Sequence, residues 1–163
     1  TREGAGTTIR LRLPLTLAII DGFLVAVGDA MFVVPLDIVE ECVELTDSAQ
    51  TETHGRHYIN LRERVLPFIS LRDHFGLDGV RSRRQNILVV RQGEERIGLV
   101  VDELMGEAQT VIKPLGRLFR TVKGIGGSTV LGDGRVALIL DVPTLLEHVR
   151  AGSAAGQRWT VAA

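Results

Sequence analysis

The side chains best suited to chemistry in this sequence are two histidines, one cysteine and two adjacent glutamates. His54 and His57 are three residues apart in a polar stretch, but no cysteine or acidic residue stands beside them at ligand spacing, so a zinc site is not favoured. Cys42 lies in the segment Ile38–Val43, where a buried structural thiol is favoured over a nucleophile. Glu94 and Glu95 are neighbours in the chain, and neighbouring side chains diverge instead of converging on one bond.

The sequence therefore contains no nucleophile–base pair, no metal-ligand set and no complete phosphate loop. His74 lies on a short predicted helix, where a solvated or half-buried side chain is favoured over a phosphoacceptor. We predict a binding module that has no catalytic residue, no metal site and no cofactor of its own.

Composition narrows the class of partner. The chain has 163 residues, enough for one core or for two small barrels that share one. A net charge of -1 and 4% aromatic residues argue against nucleic acid as a partner. The single cysteine cannot form an internal disulfide, which favours a reducing compartment. No apolar run approaches the roughly 20 residues that span a bilayer, and no signal peptide is evident, so we expect a cytoplasmic protein without membrane insertion.

Most of the sequence consists of short apolar runs separated by turn residues. These runs are the predicted strands that would position any site. Predicted strands are Phe23–Val27, Met31–Val34, Tyr58–Arg62, Arg64–Ile69, Ile87–Val90, Arg96–Val101, Ser128–Leu131 and Arg135–Leu140. Gly28-Asp29 and Gly132-Asp133-Gly134 are predicted to form tight hairpin turns. This pattern predicts an all-β barrel class with a few short helices.

Three helical or irregular segments interrupt the strands. Leu36–Cys42 is predicted as a short helix or turn, because Leu36, Val39 and Val43 fall at helical spacing. Ser70 and Asp73 form a capping box for a helix that ends at Phe75-Gly76. Asp141 is predicted to cap a last helix that stops at Gly152, and Leu104-Met105-Gly106 is predicted as a turn between strands. The polar stretch Leu45–Arg56 reads as a loop.

Four long strings carry a family resemblance: YINLRERVLPFISLRDHFGL, GLVVDELMG, VIKPLGRLF and STVLGDGRVALILDVPTLL. They resemble the regulatory domain of the bacterial chemotaxis histidine kinases of the CheA type, a domain built like the adaptor CheW. The resemblance implies two packed five-stranded SH3-like barrels. The family commonly has glycine directly after its Asn-Leu-Arg triplet, where this sequence has Glu63.

The same resemblance divides the chain into three parts. Residues 1–20 resemble the end of the kinase ATP-binding domain, with Gly4–Thr7 matching its last glycine-rich box. Residues 21–150 correspond to the CheW-like regulatory domain, and residues 151–163 form a flexible tail that contains Trp159. ATP and Mg²⁺ would then belong to the parent kinase, outside this chain.

The function implied is a scaffold that binds the coupling protein CheW and the chemoreceptor tip and couples receptor state to kinase activity at receptor arrays. The parent kinase would be a homodimer through another domain. Two alternatives stay open: a free-standing CheW-type adaptor, and a generic ligand-binding β-barrel. The kinase-like N-terminal string favours the kinase domain over the adaptor.

The partner-binding residues predicted are an apolar pair and a triplet. Ile38 and Val39 lie beside the polar loop, which would give an apolar interface centre with a polar border, although both side chains also suit a core. Asn60, Leu61 and Arg62 form the triplet that matches the family. Arg62 is suited to bridging carbonyls or a carboxylate through its fixed fork of donors.

Overall fold

A computed structural model describes residues 19–45, 58–79, 82, 84–115 and 122–153. The strands are β1 Ile19–Val27, β2 Ala30–Pro35, β3 Val39–Glu44, β4 Tyr58–Leu61, β5 Arg64–Ser70, β6 Asn86–Gln92, β7 Glu95–Val101, β8 Glu103–Val111, β9 Ile125–Val130 and β10 Val136–Leu140. The helices are α1 Leu71–His74 and α2 Val142–Ser153, and a 3₁₀ turn covers Leu36–Ile38. None of these helices has the length and apolar character needed to cross a membrane.

The strands form two five-stranded sheets, which confirms the predicted pair of barrels. The first barrel has the order β8-β1-β2-β10-β9, and the second has the order β3-β6-β7-β5-β4. Each barrel contains two hairpins that are joined by one parallel pair of strands. In the first barrel β2 pairs with β10, and in the second β7 pairs with β5. The second barrel is continuous from β3 to β7, whereas the first is the same unit permuted, with its β1–β2 hairpin at the start.

Short turns close the hairpins as predicted. Gly28 has φ 57 in the two-residue turn between β1 and β2, and Gly93 has φ 60 between β6 and β7. Asp141 accepts a hydrogen bond from the Thr144 amide at 3.1 Å, so it caps α2. Ser70 accepts one from the Asp73 amide at 3.2 Å and caps α1.

One apolar cluster joins the two barrels. Its buried members include Val25 and Phe32 from the first barrel and Leu88 and Leu99 from the second. Each barrel also has a smaller cluster of its own. Neither barrel could bury its share of the common cluster alone, so the two depend on each other for a complete core.

Three local predictions were wrong. Residues 39–42 are not helical: β3 begins at Val39, because a ladder with β6 outweighs the helical spacing of its apolar residues. Leu104-Met105-Gly106 lies within β8, where Gly106 has φ 107 beside a register shift in the β1 ladder, so a bulge replaces the predicted turn. Helix α2 continues through Gly152 to Ser153.

Several predictions fall outside the described residues. These are the glycine-rich segment Gly4–Thr7, most of the polar loop with His54 and His57, and the tail with Trp159. The limits proposed for the three parts of the chain stay predictions.

Candidate docking surface

The predicted triplet lies on the β4–β5 hairpin, at one edge of the second barrel. Asn60 and Leu61 end β4, and Arg62-Glu63 form the two-residue turn. Both turn residues have positive φ, 50 for Arg62 and 64 for Glu63, which is the pattern of the tight hairpin turn that normally selects Gly or Asn. The turn is therefore tight although Glu63 occupies a position that suits glycine.

The outer face of this hairpin is mostly apolar and open to solvent. Tyr58 pairs with Pro67 and Asn60 pairs with Val65, so the four side chains share one face. Tyr58 is 51% exposed and Val65 is 67% exposed. We call these four residues the β4–β5 face. Large apolar side chains exposed together are typical of a surface that another protein covers.

The first barrel presents an equivalent surface on its β9–β10 hairpin. Val130 pairs with Val136, and the two are 49% and 60% exposed. Because β9 and β10 occupy the positions in the first barrel that β4 and β5 occupy in the second, each barrel carries an exposed apolar hairpin at the same place in its topology.

An ion pair connects the β4–β5 turn to β3, the strand at the opposite edge of the same sheet. Arg62 Nη1 lies 3.1 Å from Glu41 Oε2 on β3, and Arg96 Nη2 donates to Glu41 Oε1 at 2.7 Å. The β3 ladder skips Glu40 between Val39 and Glu41. Within the described residues no ladder joins β3 to β4, and the Arg62–Glu41 ion pair connects β3 to the turn that follows β4.

The bulge also brings Glu40 against two arginines. Glu40 pairs with Arg91, and Arg96 Nε donates to Glu40 Oε2 at 2.6 Å. The hydrogen bond from Arg91 is the largest cause that holds the pKa of Glu40 below its ordinary value, and Arg96 acts in the same direction.

The first barrel closes differently, through the backbone bridge between Lys113 and Ser128.

The other predicted pair lies in a different setting. Ile38 ends the 3₁₀ turn and Val39 begins β3, and both are partly buried against the cluster shared by the two barrels. Part of each side chain thus belongs to the core. A charge at Val39 would disturb packing as well as any contact, so Val39→Glu separates docking from folding less cleanly than a change on the β4–β5 face.

The remaining chemical candidates do not assemble into a catalytic site among the described residues. The prediction that the Cys42 thiol is buried was wrong, because Cys42 is exposed. Exposed and half-buried residues alternate along β3, and Cys42 is one of the exposed ones. Partial burial nevertheless raises the pKa of its thiol, which keeps it protonated. His74 is half-buried, as predicted. In the described part of the chain no three His, Cys, Asp or Glu side chains gather to hold a metal.

Comparison with known proteins identifies the family. Residues 21–150 match the family model described as the CheW-like domain. This chain belongs to the CheW-like domain family. The structure is similar to the scaffolding protein TtCheW from Thermoanaerobacter tengcongensis, with a TM-score of 0.60 and 20% identity over 75% of this chain and 88% of that one. That likeness shows the fold.

The curated relatives of this CheW-like domain include a sensor histidine kinase and chemotaxis proteins. It is 37% identical over 149 residues to the sensor histidine kinase CheAY of Helicobacter pylori, covering 90% of this chain and 19% of that protein. It is 40% identical over 148 residues to the chemotaxis protein CheA of Salmonella typhimurium, covering 89% and 22%. The chain spans about a fifth of the length of these relatives.

The sequence interpretation missed Tyr58 and Val65, the most exposed apolar residues of this CheW-like domain's β4–β5 hairpin. A signal was present: Val65 and Leu66 are adjacent apolar residues on one strand, and adjacent side chains point to opposite faces. One of the two must face outward on a strand whose other face is core. Which one does so depends on the register with β4.

Proposed function

We propose that this chain is the regulatory scaffold domain of a chemotaxis sensor kinase, and that it docks the coupling protein CheW and the chemoreceptor tip. The relatives that are 37% and 40% identical over about nine-tenths of the chain are a sensor histidine kinase and a chemotaxis protein CheA, which supports this proposal over a free-standing adaptor. The chain would couple receptor state to a kinase domain elsewhere in the parent protein.

We propose further parts of this function on the basis of the family resemblance. The chain itself is non-catalytic, and the parent protein is a histidine autokinase that uses ATP and Mg²⁺ in another domain. The parent dimerises through a domain outside this chain. The assembly lies in the cytoplasm, at receptor arrays beneath the inner membrane, and involves neither nucleic acid nor membrane insertion.

The β4–β5 face is the observation that carries the docking proposal. It combines an exposed aromatic ring, an exposed valine and a proline with charged residues at its rim, among them Arg62 and Glu63 at the turn. An apolar centre with a polar border is the usual anatomy of a protein interface. The partner we propose is the barrel of a CheW molecule, packed end to end against this hairpin, with the β9–β10 hairpin available for a second contact.

A ligand-binding barrel is less well supported by the clefts of the molecule. A cleft of about 410 Å³ lies between the barrels, and its lining includes Glu44, Arg84, Asp102 and Glu103. Sites for small molecules are mostly apolar with a few polar groups. A surface cleft whose lining is mostly charged or polar does not fit that description.

The docking proposal is tested by placing a charge on the β4–β5 face. Val65 is 67% exposed, so Val65→Glu leaves the fold intact and changes the surface. We expect Val65→Glu to weaken binding to CheW from the same organism at least tenfold, because the new carboxylate must be desolvated in an apolar contact. Calorimetric titration measures the affinity, and thermal melting checks the fold.

A matched control lies on the first barrel. Ile19 is 56% exposed and is also an apolar strand residue, but it belongs to β1 and pairs with Val111 of β8. Ile19→Glu should bind CheW like the parent chain. If folded Val65→Glu binds as tightly as the parent chain, the docking surface lies elsewhere.

A further inference from the structure

The four-residue helix α1 makes contacts that belong to both barrels. It follows directly from β5, the second strand of the proposed docking hairpin, and Ser70 caps it. Two residues of the helix, Arg72 and His74, and its C-cap Phe75 lie against the first barrel or the crossing into it. A short helix with this placement can pass a displacement of the hairpin to the other barrel.

Arg72 is the central contact. Its side chain is almost fully buried, and Nη2 lies 2.5 Å from Oδ2 of Asp102, at the crossing from β7 to β8. The same Asp102 oxygen accepts the Gly28 amide of the β1–β2 turn at 2.7 Å. Arg72 Nη1 donates to the carbonyls of Leu77 and Asp78 at 3.3 and 3.0 Å, which fixes the guanidinium plane.

The turn is shaped to admit this guanidinium. Gly28 has φ 57, and a Cβ built there would lie 3.3 Å from Arg72 Nη2. Asp102 is further tied to both barrels by its backbone: its amide donates to Ala26 of β1 at 3.0 Å, and its carbonyl accepts from Asn86 of β6 at 3.2 Å. The Arg72 Nε is buried and has no hydrogen-bond partner among the described residues, where the guanidinium is held through its two terminal nitrogens.

Two ring contacts extend the same junction. Phe75 stacks on Phe32 of β2, with ring centroids 5.2 Å apart and planes at 17°. His74 meets His148 of α2 edge to face, with ring centroids 6.0 Å apart. Helix α1 therefore touches the turn, a central strand and the helix of the first barrel.

We infer that α1 couples the docking hairpin of the second barrel to the β1–β2 turn of the first, with Arg72 and Asp102 as its positioning residues. Movement of β5 shifts α1, and Arg72 passes the shift to Asp102 and the Gly28 amide. The role assigned to this coupling in signalling rests on the proposed function, but the coupling itself is a property of the free chain.

The test is amide exchange at Gly28, measured by nuclear magnetic resonance on the full chain without a partner. Arg72→Met keeps the apolar stem and removes the guanidinium. We expect Gly28 exchange to rise at least tenfold in Arg72→Met. An exchange rate within twofold of the parent would show that Arg72 does not hold the turn. If Arg72→Met does not fold, Arg72→Lys, which keeps the charge and loses the fork, takes its place with the same criterion.

Coupling to the hairpin is read from a double-mutant cycle. Ser70→Ala loosens the junction of β5 and α1, and Ser70 itself lies on the second barrel. We expect Ser70→Ala to raise Gly28 exchange at least threefold in the parent chain and to have no effect in the Arg72 variant. Asp141→Ala, which removes the cap of α2, is the matched control and should leave Gly28 unchanged.

Equal effects of Ser70→Ala in both backgrounds, or none in the parent chain, would overturn the coupling. This cycle contains no CheW, so its failure is distinct from failure of the proposed function. A chain that fails to bind CheW but shows the expected cycle would retain the coupling and lose the signalling role assigned to it.

Discussion

The turn residues Arg62 and Glu63 occupy a backbone conformation that favours glycine or asparagine. Both have positive φ, a conformation that costs an L-residue with a side chain roughly 1–2 kcal/mol relative to glycine. Arg62 forms an ion pair with Glu41, although its side chain is 77% exposed. Glu63 is exposed, and no ion pair joins its side chain to another described residue.

The strain at Glu63 gives a direct prediction. Glu63→Gly should raise the free energy of unfolding by about 1 kcal/mol, because glycine adopts this φ without steric cost. Denaturant unfolding measures the change. Glu94→Gly is the control: Glu94 lies in the β6–β7 turn without a positive φ, so glycine there gains nothing. A loss of stability in Glu63→Gly equal to that in Glu94→Gly would contradict this account.

His74 is the titrating residue with the clearest consequence for stability. Burial lowers its pKa below the ordinary value of 6.5, and the neighbouring His148 acts in the same direction. Because the folded pKa lies below the unfolded one, the unfolded chain binds more protons in acid. The stability associated with neutral His74 is therefore complete above pH 6.5 and is lost as pH falls through the folded pKa.

We therefore expect the free energy of unfolding to fall between pH 7.5 and pH 5, and His74→Gln to reduce that fall. Denaturant unfolding at the two pH values measures it. His148→Gln should reduce the fall less, because burial of His74 is the larger cause. The same pH dependence in the parent chain and in His74→Gln would show that another group is responsible.

At the scale of elements, the sequence predicted those strands, turns and helix caps whose stabilising interactions are made between residues close in the chain. The β1–β2 and β9–β10 hairpins follow from Gly and Asp in their turns, and the caps at Ser70 and Asp141 follow from neighbouring residues. β3 and the continuation of β8 through Gly106 depend on ladders with distant strands. Sequence spacing does not contain that information.

The candidate site was predictable in part for the same reason. The triplet at residues 60–62 was found through its family pattern, and it does lie on an exposed hairpin. Its neighbours Tyr58 and Val65 were not found, because their exposure is set by the register of β4 with β5. The partial burial of Ile38 and Val39 likewise depends on how the barrels pack.

On the scale of the whole molecule, the two barrels are one topological unit used twice, with a permuted order in the first. The shared cluster includes Leu99 from the second barrel and Leu140 from the first, both almost fully buried. Leu138 lies on β10 and packs partly buried against the same cluster. This arrangement ties the stability of each barrel to the other.

We expect the two barrels to unfold in a single transition. Leu99→Ala and Leu140→Ala should each lower the free energy of unfolding by about 2–5 kcal/mol, since each leaves a cavity in the shared cluster. Fluorescence and circular dichroism should report the same midpoint in each variant. Two separate transitions, with each substitution shifting only one of them, would show that the barrels fold independently.

The central claim is that this chain is a docking domain for CheW, and direct titration of the unaltered chain with CheW from the same organism tests it most simply. Calorimetry should show saturable binding with a negative change in heat capacity, because apolar hairpin surface is buried on association. Absence of binding at about 100 μM, a concentration at which even weak specific complexes form, would contradict the claim.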